Sequence, residues 1–207
     1  VGHITEEFHS VNQSLNRFFF PAGLISVTPE LQLDDWVISK RIVEVAIKSL
    51  PESGTFLNWR TNDSTDRAEN TSSDRLGVAR GTSKTPTALI IRTRPNNRKK
   101  FSRQYYGTNP PYLLEEAMLF LVEIGVEHLL VDLPSVDKEN DGGELLAHKA
   151  FWDFDGPTRK QSTITELIYV PDGIEDGHYY LNLQVAAFEN DASPSRPVLY
   201  KIQDGKK

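Results

Sequence analysis

Two short apolar runs on either side of a helical stretch constrain this chain more than any other feature. "TALIIRT" (Thr87–Thr93) and "EHLLVDLPS" (Glu127–Ser135) are dense in Ile, Leu and Val and short for helices, so both are predicted to be buried strands. Between them, "PPYLLEEAMLFLVEIG" (Pro110–Gly125) predicts a helix over Pro111–Ile124. Prolines stand at its entrance, Leu113, Ala117, Phe120 and Leu121 share a face, and Gly125 ends it. Strand, helix and strand in that order make a parallel β-α-β unit, for which a right-handed crossover is expected. The fold class that follows is α/β with more sheet than helix. "STITELIYV", "HYYLNLQVAAF" and "SRPVLYKI" add strand candidates over Thr163–Val170, Tyr179–Phe188 and Pro197–Ile202, with turn chemistry at "PDGIEDG" between the first two. "GLISV" (Gly23–Val27) is a further strand candidate. Over Asp35–Leu50 helical and strand spacing compete, because the many β-branched residues lower helix propensity.

At 207 residues the chain suits one domain over 1–207 better than two. Residues 52–86 are polar and rich in Ser, Thr, Asn and Asp, which predicts a long insertion. The formal net charge of -6 argues against a nucleic-acid or anionic-membrane surface. The basic cluster between Arg92 and Arg103 is expected to be a solvated loop. No apolar run reaches the length of a membrane span and no signal pattern is visible, so the expected location is cytoplasmic. Cysteine is absent, which excludes disulfides and thiolate metal ligands within these residues. "VGHITEEF" opens without Met, in sequence that reads as ordered, and the expectation is a protein that extends upstream.

Open α/β sheets carry their sites beyond the carboxyl ends of the strands. Just past the second apolar run, "VDLPSVDKENDGGELLAHKAFW" places Asp132, Ser135, Asp137 and His148 at or after such an end. Glu166 sits within "TITELIYV", where alternation puts it on a face with Ile164 and Ile168. A carboxylate there needs a cation, a metal or several hydrogen bonds, and the pattern leaves open an ordinary Arg or Lys partner. His9, His128 and His178 lack an evident partner and read as surface or loop residues. No phosphate loop, dinucleotide glycine set, HExxH helix or nucleophile elbow is present.

Four segments taken in order resemble the cyclase-like metal hydrolases that include bacterial kynurenine formamidase. They are "TALIIRT", "GVEHLLVDLPSVD", "AHKAF" with "ITELIYV", and "AFENDASPSRPVLYKI", and they run through roughly the last two-thirds of the chain. In that family a strand ending in a Gly-Ile-Asp-Thr-Pro-Ser-Val-Asp-like run precedes a His and then a Glu within a strand. An Asp-Ala/Gly-Ser-Pro-x-Arg turn and a last strand close the chain. Leu133 departs from the usual Thr or Ser, and "DFDGPTRKQ" lengthens the interval between His148 and Glu166. The family's His-x-Gly-Thr-His-x-Asp-x-x-x-His run is missing, although "VGHI" is similar to its tail.

The resemblance implies a swivelling β/β/α fold with a mixed sheet, one or two divalent metals (commonly Zn, sometimes Mn), and hydrolysis of an amide or cyclic amide of a small molecule. By position it makes His148 and Glu166 metal ligands and His3 a catalytic or neighbouring histidine. It also implies a homodimer or homotetramer, and a metal site incomplete in these residues alone. The alternative is a non-catalytic relative that keeps the fold as a binding or oligomeric scaffold.

Overall fold

The computed structural model describes residues 7–51, 86–187 and 189–202. His3 lies outside them, as does all of the expected insertion except Pro86. In chain order the elements begin with α1 (Val11–Ser14), β1 (Phe19–Val27), β2 (Glu30–Gln32), β3 (Asp35–Ile38), α2 (Lys40–Lys48) and β4 (Ala88–Thr93). A 3-10 turn (Arg98–Ser102) leads to β5 (Tyr112–Leu113), α3 (Glu115–Glu123), β6 (His128–Val131) and α4 (Leu146–Trp152). The chain closes with β7 (Thr163–Thr165), β8 (Gly177–Asn182) and β9 (Val198–Lys201).

One mixed sheet of six strands runs in the order β7-β6-β4-β1-β8-β9. The first four are mutually parallel, and β8 and β9 are added antiparallel. Alternation divides the buried side chains between two faces. Ile25, Leu89, Ile91, Leu129 and Val131 pack under α2, α3 and α4, with Met118, Leu121 and Phe151 closing the layer. Leu24, Ile90, Leu130 and Leu181 point the other way, into a smaller cluster with Leu15 and Val170. Every residue of β4 is buried, as an interior parallel strand covered on both faces requires.

The expected β-α-β unit is present, since β4 and β6 pair in parallel with α3 between them in sequence. The expected helix is shorter. Pro110 and Pro111 hold the entrance extended, so Tyr112 and Leu113 pair with Val37 and Ile38 of β3, and the helix starts at Glu115. Glu115 and Glu116 in its first turn complement the helix dipole. At the other end Gly125 takes φ +89°, a left-handed conformation that terminates the helix cheaply only for glycine. The competition over Asp35–Leu50 resolves by division: Asp35–Ile38 is strand, and helix follows over Lys40–Lys48.

His128 is not a surface residue. It is 3% exposed, its ring lies 4.1 Å from that of Phe20, and its Nδ1 is 2.9 Å from Thr163 Oγ1. Burial, with help from the Arg17 and Arg159 charges, pushes its pKa down to about 3 from an ordinary 6.5. Folding therefore favours the neutral ring. This contribution is complete above the unfolded pKa and is lost as pH falls from about 6.5 toward 3, with a slope approaching about 1.4 kcal/mol per pH unit. Urea unfolding at a series of pH values should show this loss in the parent protein. In His128→Asn the loss over the same range should be smaller, and parallel declines would contradict the assignment.

Candidate metal centre

Two turns of chemistry place His148. Past β6 the chain leaves the sheet through Asp132–Val136, and Asp141 winds the following loop by accepting from Gly143 N at 2.8 Å and Leu145 N at 2.7 Å. Leu145 is left-handed, φ 50°, and contributes no side-chain cap to α4. Instead the Asp137 carboxylate accepts from Ala147 N at 2.6 Å and His148 N at 3.3 Å. It also lies 2.5 Å from His148 Nδ1. One helical turn on, the Trp152 ring packs 5.3 Å from the imidazole.

Glu166 arrives from the neighbouring edge strand. The expected strand Thr163–Val170 stops at Thr165, so Glu166 lies just past its end and not within it. The cause is local: Leu167 adopts φ 55°, a strained value for a branched side chain, while its N–H is captured by Leu133 O at 2.9 Å. That kink swings the carboxylate toward α4. Glu166 Oε1 accepts from Val136 N at 2.9 Å and lies 3.7 Å from His148 Nε2. Burial pushes its carboxyl above the usual range, partly opposed by His148 and by the Val136 N–H.

The structure thus brings together two of the three residues that the sequence singles out, His148 and Glu166, while His3 is outside the described residues. The Arg or Lys partner left open for Glu166 is not what the ion pairs of the described residues show: the side chain that faces it there is the His148 imidazole. An imidazole nitrogen and a carboxylate oxygen suit a divalent ion, and two ligands of one tetrahedral zinc stand roughly 3.3 Å apart, close to the observed separation. The donor chemistry fits. Among the described residues no group of three or more His, Asp or Glu side chains is arranged to hold a metal.

Both side chains line a groove of about 1180 Å³ over the second sheet face, with Lys100, Tyr105, Asp132 and Trp152 also on its walls. Phe101 and Tyr169, also on its walls, make a tilted ring contact at 4.1 Å between centroids. Sequence reasoning missed Lys100, grouped with a basic cluster expected to be solvated. Its ammonium donates to Thr93 O at 2.7 Å, Thr93 Oγ1 at 3.0 Å and Asp132 Oδ2 at 2.7 Å. Asp132 is fully enclosed and also accepts from Thr93 N and Thr93 Oγ1. Arg92 of the same cluster is 1% exposed and donates to Ser26, Pro171, Ile174 and Asp176. The only hint in the sequence is that Arg92 and Asp132 each end a wholly apolar run.

A family model described as "Putative cyclase" matches residues 1–138. The chain belongs to that family. The matched segment contains β6, Asp132 and Asp137 and ends before His148 and Glu166. Among solved structures, one described as a potential metal-dependent hydrolase with cyclase activity is similar with a TM-score of 0.59 at 15% identity, over 98% of this chain and 75% of that one. A predicted metal-dependent hydrolase from Bacillus stearothermophilus is similar with a TM-score of 0.52 at 15% identity, over 93% and 70%. An isatin hydrolase bound to the product analogue thioisatinate gives a TM-score of 0.56 at 13% identity, over 95% of this chain and 65% of that one. At such identities the likeness is one of fold, and the fold is cyclase-like. No curated protein matches the chain. No helix among the described residues is long and apolar enough to cross a membrane.

Proposed function

We propose that this chain is a metal-dependent hydrolase of an amide or cyclic amide bond, of the arylformamidase and isatin hydrolase kind, with zinc as its ion and manganese as a substitute. One observation carries the reading: His148 Nε2 and Glu166 Oε1 face each other at 3.7 Å on the wall of the groove over the second sheet face. The chemistry an ion held there supplies is Lewis acidity toward a carbonyl and activation of water near neutral pH. His148 and Glu166 would hold the ion. His3 is assigned the proton transfer from attacking water to the leaving amine, a task suited to a group that titrates near neutrality. The apolar sheet residues Ile90, Leu130 and Leu181, with Phe101, Tyr105 and Tyr169, line the groove for a small planar substrate and limit water around it. The neighbour bound to thioisatinate is an enzyme of that substrate class.

Assembly as a homodimer or homotetramer belongs to the same reading. Leu31, Leu33 and Trp36, on and between the paired strands β2 and β3, are at least half exposed, an apolar surface of the kind subunit contacts cover. The test of function is hydrolysis of isatin and of N-formyl aryl amides by protein loaded with zinc or manganese and by protein stripped with a chelator. Turnover should disappear on stripping and return with metal. Failure to turn over either substrate with either metal would leave the scaffold reading in its place.

A further inference from the structure

Asp137 makes contacts that metal binding by His148 and Glu166 does not by itself explain. Its carboxylate is buried and sits against three nitrogens: Ala147 N at 2.6 Å, His148 N at 3.3 Å and His148 Nδ1 at 2.5 Å. The first two are backbone donors at the start of α4, left over because Leu145 supplies no side-chain cap. The third is the ring itself. One oxygen, Oδ2, meets both the backbone and the ring nitrogen of His148, which fixes the imidazole relative to its own helix.

We propose that Asp137 is a positioning residue that sets the tautomer and the ring plane of His148, holding the proton at Nδ1 and turning Nε2 toward Glu166. A carboxylate accepts and does not donate, so a neutral imidazole in contact with it places its single N–H on the side of the carboxylate. The distances agree: 2.5 Å from Nδ1 to Asp137 is a hydrogen bond, and 3.7 Å from Nε2 to Glu166 is too long for one. Flipping the ring would face a carbon toward Asp137 and break the short contact. Trp152, packed on the ring from the next turn, opposes the same rotation. Asp137 lies eleven residues before His148 in sequence, and the loop between them is closed by Asp141, so the geometry is built by the segment as a whole.

The consequence for metal affinity rests on the reading of His148 as a ligand. The claim about its tautomer does not, and the experiment separates the two. Long-range proton–nitrogen spectra of the metal-free protein read the tautomer of His148 directly. The parent should show the Nδ1–H form, and Asp137→Ala should shift His148 toward the Nε2–H form. Zinc affinity, by competition with a chromophoric chelator, should weaken by about 10- to 100-fold in Asp137→Ala. Asp137→Asn, which keeps one acceptor oxygen in place of two, should fall between. Circular dichroism checks that each variant is folded, and if Asp137→Ala is not, Asp137→Asn carries the comparison. A parent His148 in the Nε2–H form would overturn the proposal, as would a folded Asp137→Ala that keeps the proton at Nδ1. If the parent binds no zinc, the metal reading fails and the tautomer comparison still decides the role of Asp137.

Discussion

Replacing Glu166 with Gln should lower zinc affinity by more than about 100-fold, since removing a donor costs more than disturbing the residues that orient one. Hydrolysis of the amide substrates should fall at least in proportion to the lost occupancy. The substitution preserves volume, and an amide oxygen can still accept from Val136 N, the 2.9 Å contact that anchors the loop after β6. Stability should therefore change little. His148→Ala should lose metal to a similar degree, with added destabilisation because the ring is buried against Trp152 and holds the Asp137 carboxylate. Equilibrium dialysis with metal quantification, beside thermal melts, separates lost binding from lost fold. Parent-like zinc affinity in folded Glu166→Gln would remove Glu166 from the site.

The second large effect is on stability. Asp132 is enclosed, and Lys100 is the cation that faces it, with 9% of the lysine side chain exposed. Lys100→Met leaves the carboxylate with Thr93 N and Thr93 Oγ1 as donors and without its compensating charge. Stranding a buried charge in this way costs about 3–5 kcal/mol, which for a domain of this size lowers Tm by roughly 6–20 °C. Pairing it with Asp132→Asn removes the stranded charge while keeping an acceptor for the Thr93 N–H, and should restore most of the loss. A single Lys100→Met within about 1 kcal/mol of the parent in urea unfolding would show that water reaches Asp132 freely.

The β-α-β unit was legible because burial on both faces writes a continuous apolar run into β4, and because prolines and a glycine mark the ends of the segment that holds α3. Periodicity placed that helix correctly and misjudged only its first turn, where Tyr112 and Leu113 found a partner in β3, a strand remote in sequence. The same blindness to long-range pairing explains β7. Glu166 reads as mid-strand by alternation, yet the strand ends a residue earlier because Leu167 turns away to bond with Leu133.

Side-chain partnerships were the least legible part. His128 and Thr163 meet through the pairing of β6 with β7, and Lys100 reaches Asp132 across adjacent strand ends. Neither pair has any spacing in sequence that announces it. Strand ends and alternation drew attention to His148 and Glu166, and only the resemblance carried by ordered motifs made them candidate ligands, since a lone histidine and a lone acid have no signature of their own. Asp137 stood in the same polar loop and could have been recognised: an Asp ahead of a short helix that has no capping residue is a candidate for its missing cap.

Whether His148 and Glu166 share one divalent ion can be read from anomalous diffraction at the zinc absorption edge, on crystals soaked in zinc. A peak should stand between the two side chains, about 2.0–2.2 Å from His148 Nε2 and from a Glu166 carboxylate oxygen, with Asp137 still on Nδ1. A zinc peak elsewhere in the groove, with His148 and Glu166 unchanged at their 3.7 Å separation, would contradict it.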